Sequence, residues 1–303
     1  MIPYVRDMTF EYGKVDQITP LTRRVIANNP GPFTFRGTGT YIIGKGEGLA
    51  VIDPGPDDAA HLKAILDAVA GETVSHILIT HHHADHSPLA GPLAEATGAT
   101  IYGCAVKAPI VEDEVKLEAG YDRFEPQVSV CGGAMIEGEG WTMEAIPTPG
   151  HTSNHICYAL RQENICFTGD HIMGWSTTVV TPPDGNMGDY LASLDVIQSR
   201  NFKTLWPTHG PPITDPGPFI DAYREHRMDR ERQILAQLAA GETRIVQMVP
   251  KMYVGVDQRL YPAAARSVHA HMIELVKSGR VVANGAAGLE SDYRLAGAAA
   301  PAQ

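Results

Sequence analysis

Short apolar runs that end in polar, ligand-bearing loops recur along this chain. Tyr41-Ile42-Ile43 and Leu49-Ala50-Val51-Ile52, set about Gly44-Lys45-Gly46-Glu47-Gly48, predict a β-hairpin, with an earlier strand near Thr22-Arg23-Arg24-Val25-Ile26. Leu62, Ile65, Leu66 and Val69 fall at helical spacing, with Asp57 or Asp58 as the cap and Gly71 as the stop. His76-Ile77-Leu78-Ile79-Thr80 reads as a buried strand. Ser87 and Pro88 then open a helix to about Thr97, which Pro92 kinks or delays, and residues 99–103 read as a further strand. The pattern weakens from Cys104 to Gly140, where Glu112-Asp113-Glu114 reads as a solvated face. Strand rhythm returns at residues 141–146, 155–159, 165–168 and 203–206, interrupted by a helical stripe of Tyr190, Leu191, Leu194 and Ile197. Alternating strands and helices of this kind predict an α/β class.

Composition shifts at Thr214-Asp215-Pro216-Gly217-Pro218, which divides the chain into residues 1–220 and a module over 221–303. In the module, Met228, Leu235 and Leu238 line one helix, and Ala265, Val268, Met272, Leu275 and Val276 line another. Residues 279–283 and 292–295 are expected to pair as strands, and 296–303 reads as a frayed tail.

The chemistry concentrates after the strands. In Thr80-His81-His82-His83-Ala84-Asp85-His86, His81 and His83 alternate with His82, so in extended chain both imidazoles face one cation, while Asp85 and His86 follow in the next turn. A histidine-rich surface turn is the plainer reading of such a run at a terminus, but it fits poorly straight after a core strand. His151, Asp170 and His209 each follow a strand signal of their own. Loops at the carboxyl ends of strands in layered α/β folds converge on one crevice, so seven ligands from four loops make two metal sites.

His81-x-His83-x-Asp85-His86 with His151, Asp170, His209 and Ile52-Asp53-Pro54-Gly55 resembles the metallo-β-lactamase-fold hydrolase superfamily, in the right order over roughly residues 25–215. Asn29-Pro30-Gly31-Pro32-Phe33-Thr34 and Gly37-Thr38-Gly39-Thr40-Tyr41 look like its lactamase-beta-2-like branch, kin of RNase Z and glyoxalase II. The resemblance implies a four-layer αββα sandwich with a winged-helix-like module at residues 221–303. It implies one ion on His81, His83 and His151, a second on Asp85, His86 and His209, and Asp170 as the bridge. Asp53 would accept the free N–H of a ligand histidine, and Asp85 would relay a proton to the leaving group. Nitrogen and carboxylate donors favour two Zn²⁺, and Mn²⁺ or Fe²⁺ suit the same set. Such a pair would acidify a bridging water to hydroxide near neutral pH.

Several substrates fit that expectation. The branch resemblance suggests an endoribonuclease acting on single-stranded RNA. A thioester or ester hydrolase like glyoxalase II shares the ligand set, whereas β-lactam hydrolases generally lack the aspartate at position 170. Diiron relatives carry an acidic residue where His83 stands. A non-enzymatic alternative is a nucleic-acid-binding regulator built on the module. His155 and His171 neighbour ligands, and either contact a substrate oxyanion or simply pack. Trp175, Ser176, Thr177 and Thr178 are expected at the pocket mouth, while His61, His76, His226, His269 and His271 are expected to stand apart from catalysis.

Charge and cysteine usage narrow the picture. The formal charge is −11 over 303 residues, and 221–303 carry 11 Lys/Arg against 9 Asp/Glu, so the first 220 residues are strongly acidic. That balance argues against a general affinity for polyanions. Cys104, Cys131, Cys157 and Cys166 lack C-x-x-C spacing and are expected as reduced, buried thiols, with Cys157 and Cys166 close across a hairpin. The start, Met1-Ile2-Pro3-Tyr4-Val5-Arg6-Asp7, has no basic segment leading into an apolar core, and no apolar run spans a membrane, so a cytoplasmic protein without membrane contact is expected. The sequence leaves the oligomeric state open, a homodimer included.

Overall fold

The computed structural model describes residues 2–106 and 124–297. The acidic run at 112–114 and the end of the tail lie outside the described residues. Seven strands form the first sheet in chain order: β1 (Val15–Gln17), β2 (Thr22–Ile26), β3 (Gly39–Ile43), β4 (Leu49–Ile52), β5 (Val74–Leu78), β6 (Thr100–Gly103) and β7 (Val128–Ser129). Its first four strands run antiparallel and β4 to β7 run parallel, with the helices α1 (Ala59–Ala68) and α2 (Ala90–Thr97) crossing from β4 to β5 and from β5 to β6. The second sheet contains β8 (Ala134–Gly138), β9 (Trp141–Pro147), β10 (Ile156–Leu160), β11 (Ile165–Gly169) and β12 (Thr204–Pro207), with α3 (Met187–Ser199) crossing from β11 to its parallel neighbour β12.

Three apolar clusters separate four layers. Tyr41, Ile43, Ile52 and Leu78 of the first sheet meet Trp141, Met143, Tyr158 and Phe167 of the second. Val25, Val51 and Ile77 on the outer face of the first sheet pack with Ile65 of α1 and Leu93 of α2. Ile146, Cys157 and Leu205 on the other outer face pack with Leu194 of α3 and Tyr223 of α4 (Pro216–Ala239). The strands buried on both faces are therefore continuously apolar, as in Ile156–Leu160, rather than alternating. Trp141 stitches the sandwich, since its indole N–H donates to the Gly48 carbonyl at 2.8 Å.

The fourth cluster is the C-terminal module. Ile234 and Leu238 of α4 meet Met248 of α5 (Ile245–Met252), Val268, Met272 and Leu275 of α6 (Tyr261–Lys277), and Val281 and Tyr293 of the paired strands β13 (Val281–Ala283) and β14 (Tyr293–Leu295). Helix α4 runs unbroken past residue 220, so the catalytic layers and the module share one rod.

Two local readings change. Asp58 caps α1 as expected, accepting from the Ala60 N–H, but Ser87 caps nothing. Its hydroxyl reaches the His82 and His83 carbonyls instead, and α2 starts late at Ala90 with Pro92 inside its first turn. The thiol expectation fails for one pair: Cys104 and Cys131 form a disulfide. They stand just beyond the ends of β6 and β7, whose register sets Gly103 beside Ser129, so strand pairing brings distant cysteines to a Cα separation of 4.9 Å. Cys157 and Cys166 are free and buried, as expected. No helix among the described residues is long and apolar enough to cross a membrane.

Candidate metal centre

Five strand ends deliver the polar residues to one crevice: β4 leads to Asp53, β5 to His81–His86, β9 to His151, β11 to Asp170 and β12 to His209. The arrival of Asp170 depends on Gly169, whose φ is +51°. A Cβ there would lie 2.6 Å from His155 Nε2 and 2.9 Å from Thr80, so only glycine lets β11 end this close to β5. The seven residues predicted as metal ligands all come together. Their donor atoms fall into the sets His81–His83–His151, His81–His86–Asp170 and Asp85–His86–His209, each within 4.8 Å.

In the first set three imidazole nitrogens converge. His83 Nδ1 lies 3.0 Å from His81 Nε2 and 3.2 Å from His151 Nε2. Ligands about 2.0–2.1 Å from a tetrahedral ion stand roughly 3.3 Å apart, so the spacing suits one cation. Outer partners fix which nitrogen faces inward. Thr80 Oγ1 donates to Asp53 and accepts from His81 Nδ1, and His151 Nδ1–H donates to the Val179 carbonyl at 2.6 Å. Both Nε2 atoms thereby keep their lone pairs for the centre. Burial holds all three imidazoles below their ordinary pKa, and their neighbouring histidines push the same way at His81 and His83.

The second set is charged. His86 Nε2 stands 3.6 Å from both Asp85 and Asp170, and His209 Nε2 stands 2.9 Å from Asp85 and 3.5 Å from Asp170. Burial opposes charge on these rings, but the carboxylates outweigh it and raise both imidazoles above their ordinary range. Asp85 and Asp170 are pulled well below the usual carboxylate range by the same two histidines, again against burial. His86 Nε2, His209 Nε2 and Asp170 Oδ1 are buried with one another and Asp85 as ionic neighbours but without well-aligned hydrogen bonds, an arrangement suited to metal-binding atoms.

Asp53 organises the floor. It is fully buried with φ +46°, accepts from His86 Nδ1, Thr80 Oγ1 and Thr208 Oγ1 through Oδ2, and takes the Thr80 N–H through Oδ1. The predicted contact to a ligand histidine is thus to His86. His209 Nδ1 is held by the Gly37 carbonyl at 3.2 Å.

His155 and His171 pack rather than face the crevice. His155 bonds Thr148 through Nδ1 and accepts the Asp170 N–H through Nε2, and His171 is fully buried against Tyr190. Of the residues expected at the mouth, Trp175 lies against Gly210, beside His209, while Thr178 is buried and bonds the Asp170 and His171 carbonyls. Sequence reasoning missed what holds this loop. On α4, the Tyr223 hydroxyl contacts the backbone of Met173 and Ser176, and the Arg227 guanidinium donates to the Thr178 carbonyl. No local motif announces such contacts, because they depend on where a distant helix docks.

The metallo-beta-lactamase superfamily model matches residues 34–209, and a beta-lactamase-associated winged helix domain matches 245–288. The chain is also 32% identical over 271 residues to a beta-lactamase-like protein 2 homolog of Caenorhabditis elegans, covering 88% of each. It belongs to the metallo-beta-lactamase superfamily. An atrochrysone carboxyl ACP thioesterase of Aspergillus chevalieri is 33% identical over 226 residues, 74% of this chain and 68% of that protein. Among solved structures, a beta-lactamase domain protein from Burkholderia ambifaria aligns at TM-score 0.77 with 19% identity over 96% of both chains. A metallo-beta-lactamase family protein from Thermus thermophilus aligns at 0.74 with 20% identity, over 92% of this chain and 100% of that one. These structural likenesses show the αββα fold, and superfamily membership makes the chain a hydrolase with a His/Asp cluster suited to divalent metal.

Proposed function

We propose that this chain is a dinuclear metal-dependent hydrolase of thioesters or esters. His81, His83 and His151 would hold one ion and Asp85, His86 and His209 the second, with Asp170 between them. The observation that carries the reading is the convergence of imidazole nitrogens and carboxylate oxygens in a buried crevice, His86 Nε2, His209 Nε2 and Asp170 Oδ1 among them without well-aligned hydrogen bonds. Two divalent ions held there would supply an acidified water and polarise the carbonyl under attack; zinc suits the donor set. The protein's own share is positional. Asp53 keeps a proton on His86 Nδ1, Thr80 does so for His81, and the partly exposed Asp85 is the carboxylate through which a proton reaches the leaving group.

Two observations favour a thioester or ester over RNA. Relatives of comparable length are named thioesterases. The module also neutralises its own cations: Arg232, Arg244, Lys251, Arg259, Lys277 and Arg280 each face a carboxylate of the module or of α4. A surface so paired offers little of the net positive field on which nucleic-acid affinity depends. Single-stranded RNA cleavage is the second reading, favoured by the winged-helix match.

The test is a panel of acyl thioesters, esters, single-stranded RNA and β-lactams with metal-quantified protein, and Asp170→Ala as the control. Thioester turnover that falls on the order of 10²–10³-fold in the control is expected. Turnover of RNA alone, or thioester turnover unchanged in the control, would overturn the reading.

A further inference from the structure

Asn154 is 1% exposed and joins three segments that meet beside the candidate centre. Its amide Nδ2 donates to the Cys104 carbonyl at 2.9 Å, just past the end of β6, which leaves Oδ1 to accept from the other side. That oxygen takes the His82 Nδ1–H at 3.0 Å and the Thr152 hydroxyl at 2.9 Å. His82 stands between His81 and His83, and Thr152 follows His151, so one buried amide reaches a sequence neighbour of every residue in the first candidate set. The far end of this chain of contacts is the Cys104–Cys131 bond. Strands β6 and β7 pair only through Tyr102 with Val128 and Gly103 with Ser129, so the covalent link supplies much of what fixes Cys104 at the sheet edge. It is also the sulfur pair within reach of a reductant. Cys131 is half-buried, with Ser129 and Gly132 exposed on either side, whereas Cys157 and Cys166 are fully buried.

We infer that Asn154 is a positioning residue that couples the Cys104–Cys131 bond to the ligand loops, so that reduction of the bond loosens the hold of His81, His83 and His151 on a metal. The inference rests on the metal reading above and is independent of the substrate. In reduction by a dithiol, a thiolate of the reductant bonds to one cysteine sulfur, the S–S bond breaks, and the other sulfur leaves with the electron pair. The second thiol of the reductant then displaces the first. The two cysteines thereby gain two electrons and two protons while the reductant closes into its own disulfide. Cys104 loses its covalent hold, the Asn154 amide loses a fixed acceptor, and the backbone at His82 and Thr152 gains freedom. Ser87 still grips the His82 and His83 carbonyls, so the loosening is partial.

The test is zinc affinity, by competition with a chelator, in the oxidised protein and in protein reduced with a water-soluble phosphine and desalted. The phosphine takes an oxygen from water to become its oxide as the bond is reduced. Reduction is expected to weaken zinc on the order of tenfold. Asn154→Ala should bind zinc like the reduced wild type in either redox state, and the Cys104→Ser/Cys131→Ser double variant should do so without reductant. Amide hydrogen exchange of the metal-free protein gives a second readout. Reduction should speed exchange over residues 81–86 and 151–154 and leave β10 unchanged, which also shows that the fold is intact. Zinc affinity and exchange that ignore the redox state, or a redox response that survives Asn154→Ala, would overturn the inference. Absence of zinc binding in both states sinks the metal reading, while the exchange difference in the metal-free chain still decides the coupling.

Discussion

The two halves of the centre use the same imidazole differently. Around His83, burial dominates and biases three histidines toward the neutral form, with the Nε2 lone pairs of His81 and His151 turned inward. Around His86, buried carboxylates dominate and the rings are biased toward the cationic form. One half therefore resembles a preformed neutral cage, while the other is a compact cluster of opposite charges in which a bound cation would take the place of protons. The lesson is that ligand identity alone does not set metal chemistry. The nearest carboxylates and the depth of burial decide how each site competes with protons.

Asp53 gives the strongest way to break that contrast. It contacts His86 directly but reaches the other half only through Thr80, so Asp53→Asn should weaken metal at the Asp85–His86–His209 half about 10–100-fold and spare the other. Metal titration against a chelator would check this, and equal weakening of both halves would erase the distinction. A smaller effect is expected on the opposite side. Tyr223 anchors the strap whose Val179 carbonyl orients His151, and Tyr223→Phe leaves buried backbone groups of Met173 unpaired. The expected loss is about 1–3 kcal/mol in denaturant unfolding. It should be accompanied by weaker metal at the His81–His83–His151 half rather than its neighbour.

The mildest prediction takes the burial effect away from the metal. His271, buried among Arg227, His226 and Arg230, is pushed down to about 3, and His61, buried beside Thr40, to about 4. Burial is the larger cause for both. Because the folded pKa lies below the unfolded one, the unfolded chain binds the proton first, and stability falls as pH drops below about 6.5. Each histidine should contribute about 0.7 kcal/mol of loss between pH 7 and 6. His271→Phe should flatten that slope equally with and without metal, and an unchanged slope would refute the assignment.

The legible part of this molecule is what lies within one strand and the loop after it. His81, His83, Asp85 and His86 follow a run as apolar as Ile77-Leu78-Ile79, and Asp170 and His209 repeat the device, so the candidate ligand set can be read from the chain. Edge strands are not legible: β1 is Val-Asp-Gln and β7 is two exposed residues, neither with the apolar content that marks a buried strand. Helix α5 is amphipathic but short, and Pro250 inside it argues locally against a helix. The Cys104–Cys131 bond, the Tyr223 and Arg227 contacts and the left-handed Phe35 all depend on register or docking between segments far apart in sequence.

Helix α4 begins against the catalytic layers and ends inside the module, with Tyr223 and Arg227 on its first half. A chain cut at residue 220 would sever this rod and remove both side chains that brace the strap beside His151. The two parts are therefore mechanically joined, and replacing the C-terminal piece would disturb the strap beside His151 as well as whatever the piece itself touches.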